Sequence, residues 1–339
     1  PSLELVFTVD EEVGMSGVLN LDFSLLKSKN VINIDHGNDS EVIISSAGGA
    51  GIILGKDLEL FNSDDKKYDL EIFGMKGGHS GIEIHKNHGS AIEIFLKFLS
   101  SNTLINNIYS INSGTAHNVI PSQIEVILST FQIDELKTEL TKYIEEVKKI
   151  YDCPNISFKI EENNSNLQAI SNGKQILSDI SKIKVGVYKM SEKIPDLTET
   201  SMSLGILKTE NSKINLNYLA RSCINKDLKN LVDSTSEFYS SLNYKIKIDE
   251  GYPGWQDDTD SELVKITKEE ITKVIGKTPK IIAIHAGLEC GALVSGLGEG
   301  THAITIGPNL YDIHSINEKV EISSVEKLEK ILNGILARL

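Results

Sequence analysis

The apolar positions of this chain form short β-branched runs at its two ends and a mixture of alternating and helical patterns between them. Near the start, Leu3–Val9, Val31–Ile34 and Glu41–Ser45 are compact runs without strict alternation, the pattern of strands covered on both faces. Near the end, the spacing predicts a helix over Thr259–Gly276 with Leu263, Ile266, Ile271, Val274 and Ile275 on its apolar side. Thr259 and Glu262 have the spacing of a capping box, and Gly276 with Pro279 stops the helix. Strands over Lys280–Ile284 and Ala303–Ile306 and a final helix over Ser324–Leu339 follow. The two ends together predict one α/β unit.

The middle has a different rhythm. From Tyr68 the pattern predicts strand Asp69–Gly74, helix Ser90–Leu99, strands Asn107–Asn112 and Gln123–Thr130, helix Asp134–Tyr151 and strand Ile156–Glu162. This is the βαββαβ order of a ferredoxin-like unit. Residues 173–250 predict a second such unit without its first strand, closing with helix Lys226–Leu242 and strand Tyr244–Asp249, and the polar stretch Asn163–Asn172 joins the halves. The expected domains are therefore 1–49 and 252–339 for the outer α/β unit and 50–251 for an inserted α+β unit, in the form of an internal duplication.

Composition narrows the function. At 339 residues the chain is long enough for one domain interrupted by another. A net charge of −14 disfavours a nucleic-acid partner, and no apolar run reaches the roughly 20 residues that span a bilayer. Cys153, Cys223 and Cys290 are far apart and in no CxxC pattern, which favours buried thiols in a reducing, cytoplasmic setting over a disulfide scaffold.

Three outer strands run into groups that can bind a cation. Leu3–Val9 leads to Asp10, Glu11 and Glu12; Val31–Ile34 leads to Asp35; Ala303–Ile306 leads through GPNLYD to His314. Ligands of open α/β sheets bind beyond the carboxyl ends of the strands. Two carboxylates and an imidazole suit zinc, and a further acid suits general-base work on a water. Spacing alone leaves other readings open: Glu11–Glu12 as polar loop residues opening a helix, Asp35 as a turn or cap residue, His314 as a surface histidine. GAGIILGKD at 49–57 has the wrong spacing for a phosphate loop, and GKT at 276–278 follows a helix instead of opening one.

With these residues assembled, the chain resembles the aminoacyl-histidine (Xaa-His) dipeptidases, PepD-type members of the carnosinase/aminoacylase family of dizinc metallopeptidases. The resembling segments are LVFTVDEEVGMSG (5–17), LDFSLLKSKNVINID (21–35), MKGGHSGIEIHKNHGSAI (75–92), AHNVIP (116–121), GYPGW (251–255), IHAGLECG (284–291) and IGPNLYDIHSINEKVEI (306–322). The resemblance implies an αβα catalytic sandwich, incomplete in this chain, with an inserted lid. It implies Glu11 as general base, and Glu12, Asp35 and His314 as ligands of a pair of divalent metals, zinc foremost, with manganese or cobalt as alternatives. It implies His79 beside the developing oxyanion, in this family often reached across a dimer formed through the lid. Asn118 and Arg221 are implied as lid groups that hold a dipeptide, with Gly287 and Glu289 as weaker substrate-lining candidates. His85, His88, His117, His285 and His302 are read as structural.

Two departures qualify the resemblance. The family's His-x-Asp and its bridging Asp precede the TVDEE strand; no His-x-Asp occurs in these residues, and Pro1 follows both positions. The expectation is a fragment with two of the five ligands missing, little or no activity of its own, and reduced partnering for Leu3–Val9. Asp35 is also followed by His36, where the family more usually has small or acidic residues, so His36 competes as a ligand or is incidental. The alternatives are a related aminoacylase or tripeptidase, and a non-catalytic peptide-binding homologue.

Overall fold

The computed structural model describes residues 2–339 apart from 193, 195, 196 and 314, and residues 13 and 250 through their backbone alone. The outer unit begins with β1 (Asn30–Asn33) and β2 (Glu41–Ser46). The chain then passes through the inserted elements: β3 (Gly48–Asp57), β4 (Lys67–Phe73), α1 (Ala91–Ser101), β5 (Ile108–Ser113), β6 (Ile124–Ser129), α2 (Ile133–Ile150), β7 (Ser157–Asn163), α3 (Gly173–Ile180), β8 (Gly186–Met190), β9 (Thr198–Glu210), β10 (Lys213–Ser222), α4 (Asn225–Ser241) and β11 (Lys245–Tyr252). It returns with β12 (Trp255–Gln256), α5 (Glu262–Ile275), β13 (Lys280–Ile284), α6 (Glu289–Leu297), β14 (His302–Thr305) and α7 (Ile322–Leu336).

The outer strands form a sheet in the order β1-β14-β2-β12, with β13 also paired to β2. Successive residues of β2 point to opposite faces, as the strand period requires. Val42 and Ile44 pack with Leu263, Ile266 and Ile271 of α5 and Leu328, Ile331 and Ile335 of α7. Ile43 packs on the other side with Trp255, Leu288, Cys290 and Ala303. Both faces are covered, which makes this unit an αβα sandwich and explains why its strands read as continuous apolar runs.

The inserted strands make a second sheet in the order β7-β4-β6-β5-β9-β10-β3-β11, with β8 on β9. Its first half is β4-α1-β5-β6-α2-β7 with spatial order β7-β4-β6-β5, every pair antiparallel. The second half has the same order reversed, β9-β10-β3-β11, also antiparallel. The strand that the second unit lacks in sequence is thus β3, contributed from before the first unit. That glycine-rich strand hides its alternation, and its partner β10 lies more than a hundred residues away, a pairing no local pattern reveals. The halves join through Leu207 and Lys208 of β9 against Ser113 and Asn112 of β5.

Two expectations need correction. Leu3–Val9 is not a strand: it lies outside every sheet, and Leu5 and Phe7 are 78% and 89% exposed. A strand needs a neighbour to satisfy its backbone, and none runs alongside this segment among the described residues. It is tied down instead by Glu4, whose carboxylate accepts from the Lys27 and Ser28 amides, and by the Gly17 amide donating to the Val9 carbonyl at 3.1 Å. The cap of α5 is Ser261, whose hydroxyl accepts from the Val264 amide at 3.4 Å, not Thr259. Thr259 falls in the preceding turn, closed by the Ser261 amide on the Asp258 carbonyl.

The chain crosses between the sheets twice, at Ala47 and at Pro253–Gly254, and the crossings touch backbone to backbone. A Cβ on Gly48 would lie 2.4 Å from the Gly254 nitrogen, and one on Gly254 would lie 2.6 Å from the Gly48 nitrogen and from the Ser222 oxygen. Backbone on both sides leaves nothing that can give way. Gly48→Ala is therefore expected to cost about 1–3 kcal/mol, read as a lowered midpoint in chemical denaturation, while Gly276→Ala, with nothing near its would-be Cβ but a left-handed φ of 79°, is expected to cost only about 1 kcal/mol.

Candidate active site

A cleft of about 900 Å³ lies between the two sheets, and most of the residues singled out in the sequence line it. From the outer unit come Glu11, Glu12, Asp35, His36, Gly287 and Leu288; from the inserted unit come His79, His117, Asn118, Arg221 and Asp249. His314 lies outside the described residues. Glu289 does not line the cleft; it opens α6, and its carboxylate accepts from the Thr8 hydroxyl at 2.6 Å.

Glu11 and Glu12 sit on one turn of 3₁₀ helix, Glu11–Val13, between left-handed residues Asp10 (φ 58°), Gly14 (φ 98°) and Met15 (φ 61°). Non-glycine residues adopt that conformation at a cost and are concentrated at functional sites. The turn is held by the Met15 amide on the Asp10 and Glu11 carbonyls and by the Ser16 hydroxyl on Asp10 at 2.9 Å. Asp35 follows β1, where its amide donates to the Asn33 side chain at 2.9 Å. His36 has its Nε2 3.1 Å from Glu41, so that nitrogen is occupied within the protein.

On the opposite wall, a short ladder pairs His79 with Val119 and Gly78 with Ile120, and the Ser80 amide donates to the Asn118 carbonyl at 2.9 Å. That ladder sets His79 beside Asn118 although 38 residues of sequence separate them. Arg221 lies on β10 across from Ser201 of β9 and Gly49 of β3. It is 4% exposed, donates to the Tyr252 hydroxyl at 2.9 Å, and leaves its Nε without a partner. Burial, and then the Arg221 charge, lower the pKa of His79 and keep it neutral.

The carboxylates of Glu11, Glu12 and Asp35 have the donor chemistry of a divalent-cation site, and they share one cleft. Among the described residues, however, no group of three His, Cys, Asp or Glu side chains is placed to hold a metal ion. The residues fit a metal in kind without closing a ligand set.

The sequence pattern of the family described as "Peptidase family M20/M25/M40" matches residues 1–338. The chain belongs to this family. One M20 relative, the cytosol non-specific dipeptidase of Escherichia coli (strain K12), is 29% identical over 353 residues, covering 98% of this chain and 71% of the relative. The crystal structure of an aminoacylhistidine dipeptidase from Vibrio alginolyticus superposes with a TM-score of 0.91 at 28% identity, covering 98% of this chain and 70% of that one. A succinyl-diaminopimelate desuccinylase from Pseudoalteromonas atlantica is 30% identical over 112 residues, 33% of this chain and 29% of the relative. No helix among the described residues is long and apolar enough to cross a membrane.

Three further residues of this M20 chain belong to the same region: His117 and Tyr252 line the cleft, and His285, which like His117 reads as structural from the sequence, bridges the two sheets. His117 lines the cleft beside Asn118. Tyr252, in the GYPGW segment, lies under Arg221 and against Gly287, whose Cβ would meet its ring at 2.4 Å. His285 is 5% exposed and reaches across the sheets to the Ser201 hydroxyl at 2.7 Å. Tyr252 and His285 lie in the GYPGW and IHAGLECG segments of the resemblance, but neither is marked there as a site residue.

Burial, then the charge of Arg221, push the His285 pKa down to about 3. Its folded value lies below the ordinary histidine value of about 6.5, so the folded form takes up its proton later than the unfolded chain. The stability it contributes is complete above about pH 6.5 and is lost as pH falls toward 3. Urea unfolding between pH 7 and pH 4.5 is expected to show a smaller loss of stability in His285→Asn than in the wild type.

Proposed function

We propose that this chain carries the general base and the lid of a metal-dependent dipeptidase that acts on unblocked dipeptides, Xaa-His among them. The observation that carries the reading is the single cleft with Glu11, Glu12 and Asp35 on one wall and His79, Asn118 and Arg221 on the other. Arg221 is a buried cation with no carboxylate in ion-pair reach among the described residues. A guanidinium left in that state has paid its desolvation cost, and its fork matches a substrate's terminal carboxylate. His79 and Asn118 lie beside it and donate to, or accept from, the peptide unit.

Glu11 takes a proton from the attacking water and passes it to the leaving amine. Glu12, Asp35 and His314 would hold divalent metal, zinc foremost and manganese or cobalt as alternatives, which when bound polarises the scissile carbonyl and lowers the pKa of the attacking water toward ~7. The inserted unit, residues 50–251, serves as the lid, and a homodimer through it belongs to the same reading, as does a cytoplasmic location.

Two measurements test the proposal. Calorimetry of the 339-residue chain is expected to show binding of an Xaa-His dipeptide that weakens about tenfold or more in Arg221→Ala, with much less discrimination between the free dipeptide and its C-terminal amide in the variant; equal binding of acid and amide by the wild type would overturn Arg221 as the carboxylate site. Supplied with zinc or manganese, the same chain is expected to show little or no turnover, because no His-x-Asp occurs in it; robust hydrolysis would show that the residues present suffice.

A further inference from the structure

The turn that follows His79 controls which nitrogen of its ring carries the proton. The Gly81 amide donates to His79 Nδ1 at 3.1 Å, and the Ile82 amide donates to the same nitrogen at 3.3 Å. A ring nitrogen that accepts from two backbone N–H groups must present its lone pair, so it cannot carry a hydrogen. Both the imidazolium and the Nδ1–H tautomer would set hydrogen against hydrogen. The ring is left neutral with its hydrogen on Nε2, and no described residue accepts from that nitrogen.

The turn itself is closed by Glu83. Its Oε2 accepts from the His79 amide at 2.9 Å, and its other oxygen lies 3.3 Å from Lys86 Nζ. The Glu83 pKa is lowered, chiefly by that His79 amide, so the carboxylate is charged and accepting near neutral pH. The Glu83 amide in turn donates to the His79 carbonyl at 3.1 Å, which makes the contact reciprocal. Gly81 is required for the approach: a Cβ there would lie 2.3 Å from the His285 carbonyl oxygen and 2.9 Å from His79 Cε1. The turn is therefore clamped between its own histidine and the floor of the opposite sheet.

We infer that residues 79–83 form a tautomer lock, in which Gly81, Ile82 and Glu83 are positioning residues that hold His79 as a neutral Nε2–H donor facing the cleft. A ring in this state has no lone pair to spend on a metal or on a proton from water. It gives a hydrogen bond, and the group it suits is an oxygen that gains negative charge, such as a carbonyl under attack. That chemical use rests on the dipeptidase reading above; the tautomer does not.

Nitrogen-15 NMR of the histidine rings in the full 339-residue chain tests it, with the His79 signals assigned by their loss in His79→Asn. At pH 7.5 the wild type is expected to show His79 Nδ1 as an unprotonated, hydrogen-bonded nitrogen and Nε2 as protonated. Glu83→Ala, with unchanged circular dichroism, is expected to bring the Nδ1–H form to a measurable share, while Glu83→Gln, which keeps an acceptor oxygen, stays at the wild-type tautomer. Should Glu83→Ala fail to fold, Glu83→Asp, whose carboxylate is one carbon short of reaching the His79 amide, takes its place with the same outcomes. A wild-type ring protonated at Nδ1 overturns the lock, and a folded Glu83→Ala or Glu83→Asp with the wild-type spectrum overturns the part given to Glu83. Failure of dipeptide binding in calorimetry leaves these resonances where they are, so the two readings fail separately.

Discussion

The contact between Gly48 and Gly254 is the constraint on which the cleft depends. Two strands leave the outer sheet and become strands of the inserted sheet with almost no linker: β2 ends at Ser46 and β3 begins at Gly48, while β11 ends at Tyr252 and β12 begins at Trp255. The ladders stay in register across the gap, with Trp255 opposite Ser46 on one side and Tyr252 opposite Gly49 on the other. Connections this short transmit position. Arg221 is also opposite Gly49, so the register that places Tyr252 beneath it fixes the guanidinium with respect to the outer sheet. A Cβ at either glycine would push the walls apart at the point where they are joined.

Much of the fold is legible in the sequence because its cores follow local periods. The stripe Leu136, Leu140, Ile144 and Val147 is buried on α2, and the runs at 41–46 and 280–284 become strands whose two faces are covered. The cap of α5 is displaced by two residues, a local ambiguity, whereas the strand failures concern partners distant in sequence. Leu3–Val9 has every local property of a buried strand, and Phe7 is nonetheless among the most exposed apolar side chains of the chain. Strand propensity measures fit to a pleated surface and is realised only where such a surface exists. The opposite error attends β3, whose glycines suggest a loop while Ile52 and Leu54 are fully buried between β10 and β11.

The candidate site divides in the same way. Glu11, Glu12 and Asp35 stand out because carboxylates just past apolar runs have the donor chemistry of a cation site, although loop and cap roles fit them as well. Arg221 is harder to find, since a lone arginine in NYLARS is unremarkable until the structure shows it buried. His285 reads only as structural from the chain alone. Its role comes from Ser201 on the other sheet, and a histidine after an apolar strand has many uses.

Charge explains why these groups belong together. The inserted wall holds one buried cation, Arg221, and a histidine, His79, while a second histidine, His285, reaches toward it from the outer unit; both pKa values are lowered first by burial and then by that cation. Were His79 protonated, it would compete with Arg221 for an incoming carboxylate and would lose the Nδ1 hydrogen bonds from the Gly81 and Ile82 amides. Neutral, the two histidines leave Arg221 as the one positive centre among these three, facing a wall of carboxylates across the cleft. A dipeptide has the complementary layout, an anionic end and a polar carbonyl a few bonds away. The same desolvation that makes Arg221 costly to bury thus sets the protonation of its neighbours.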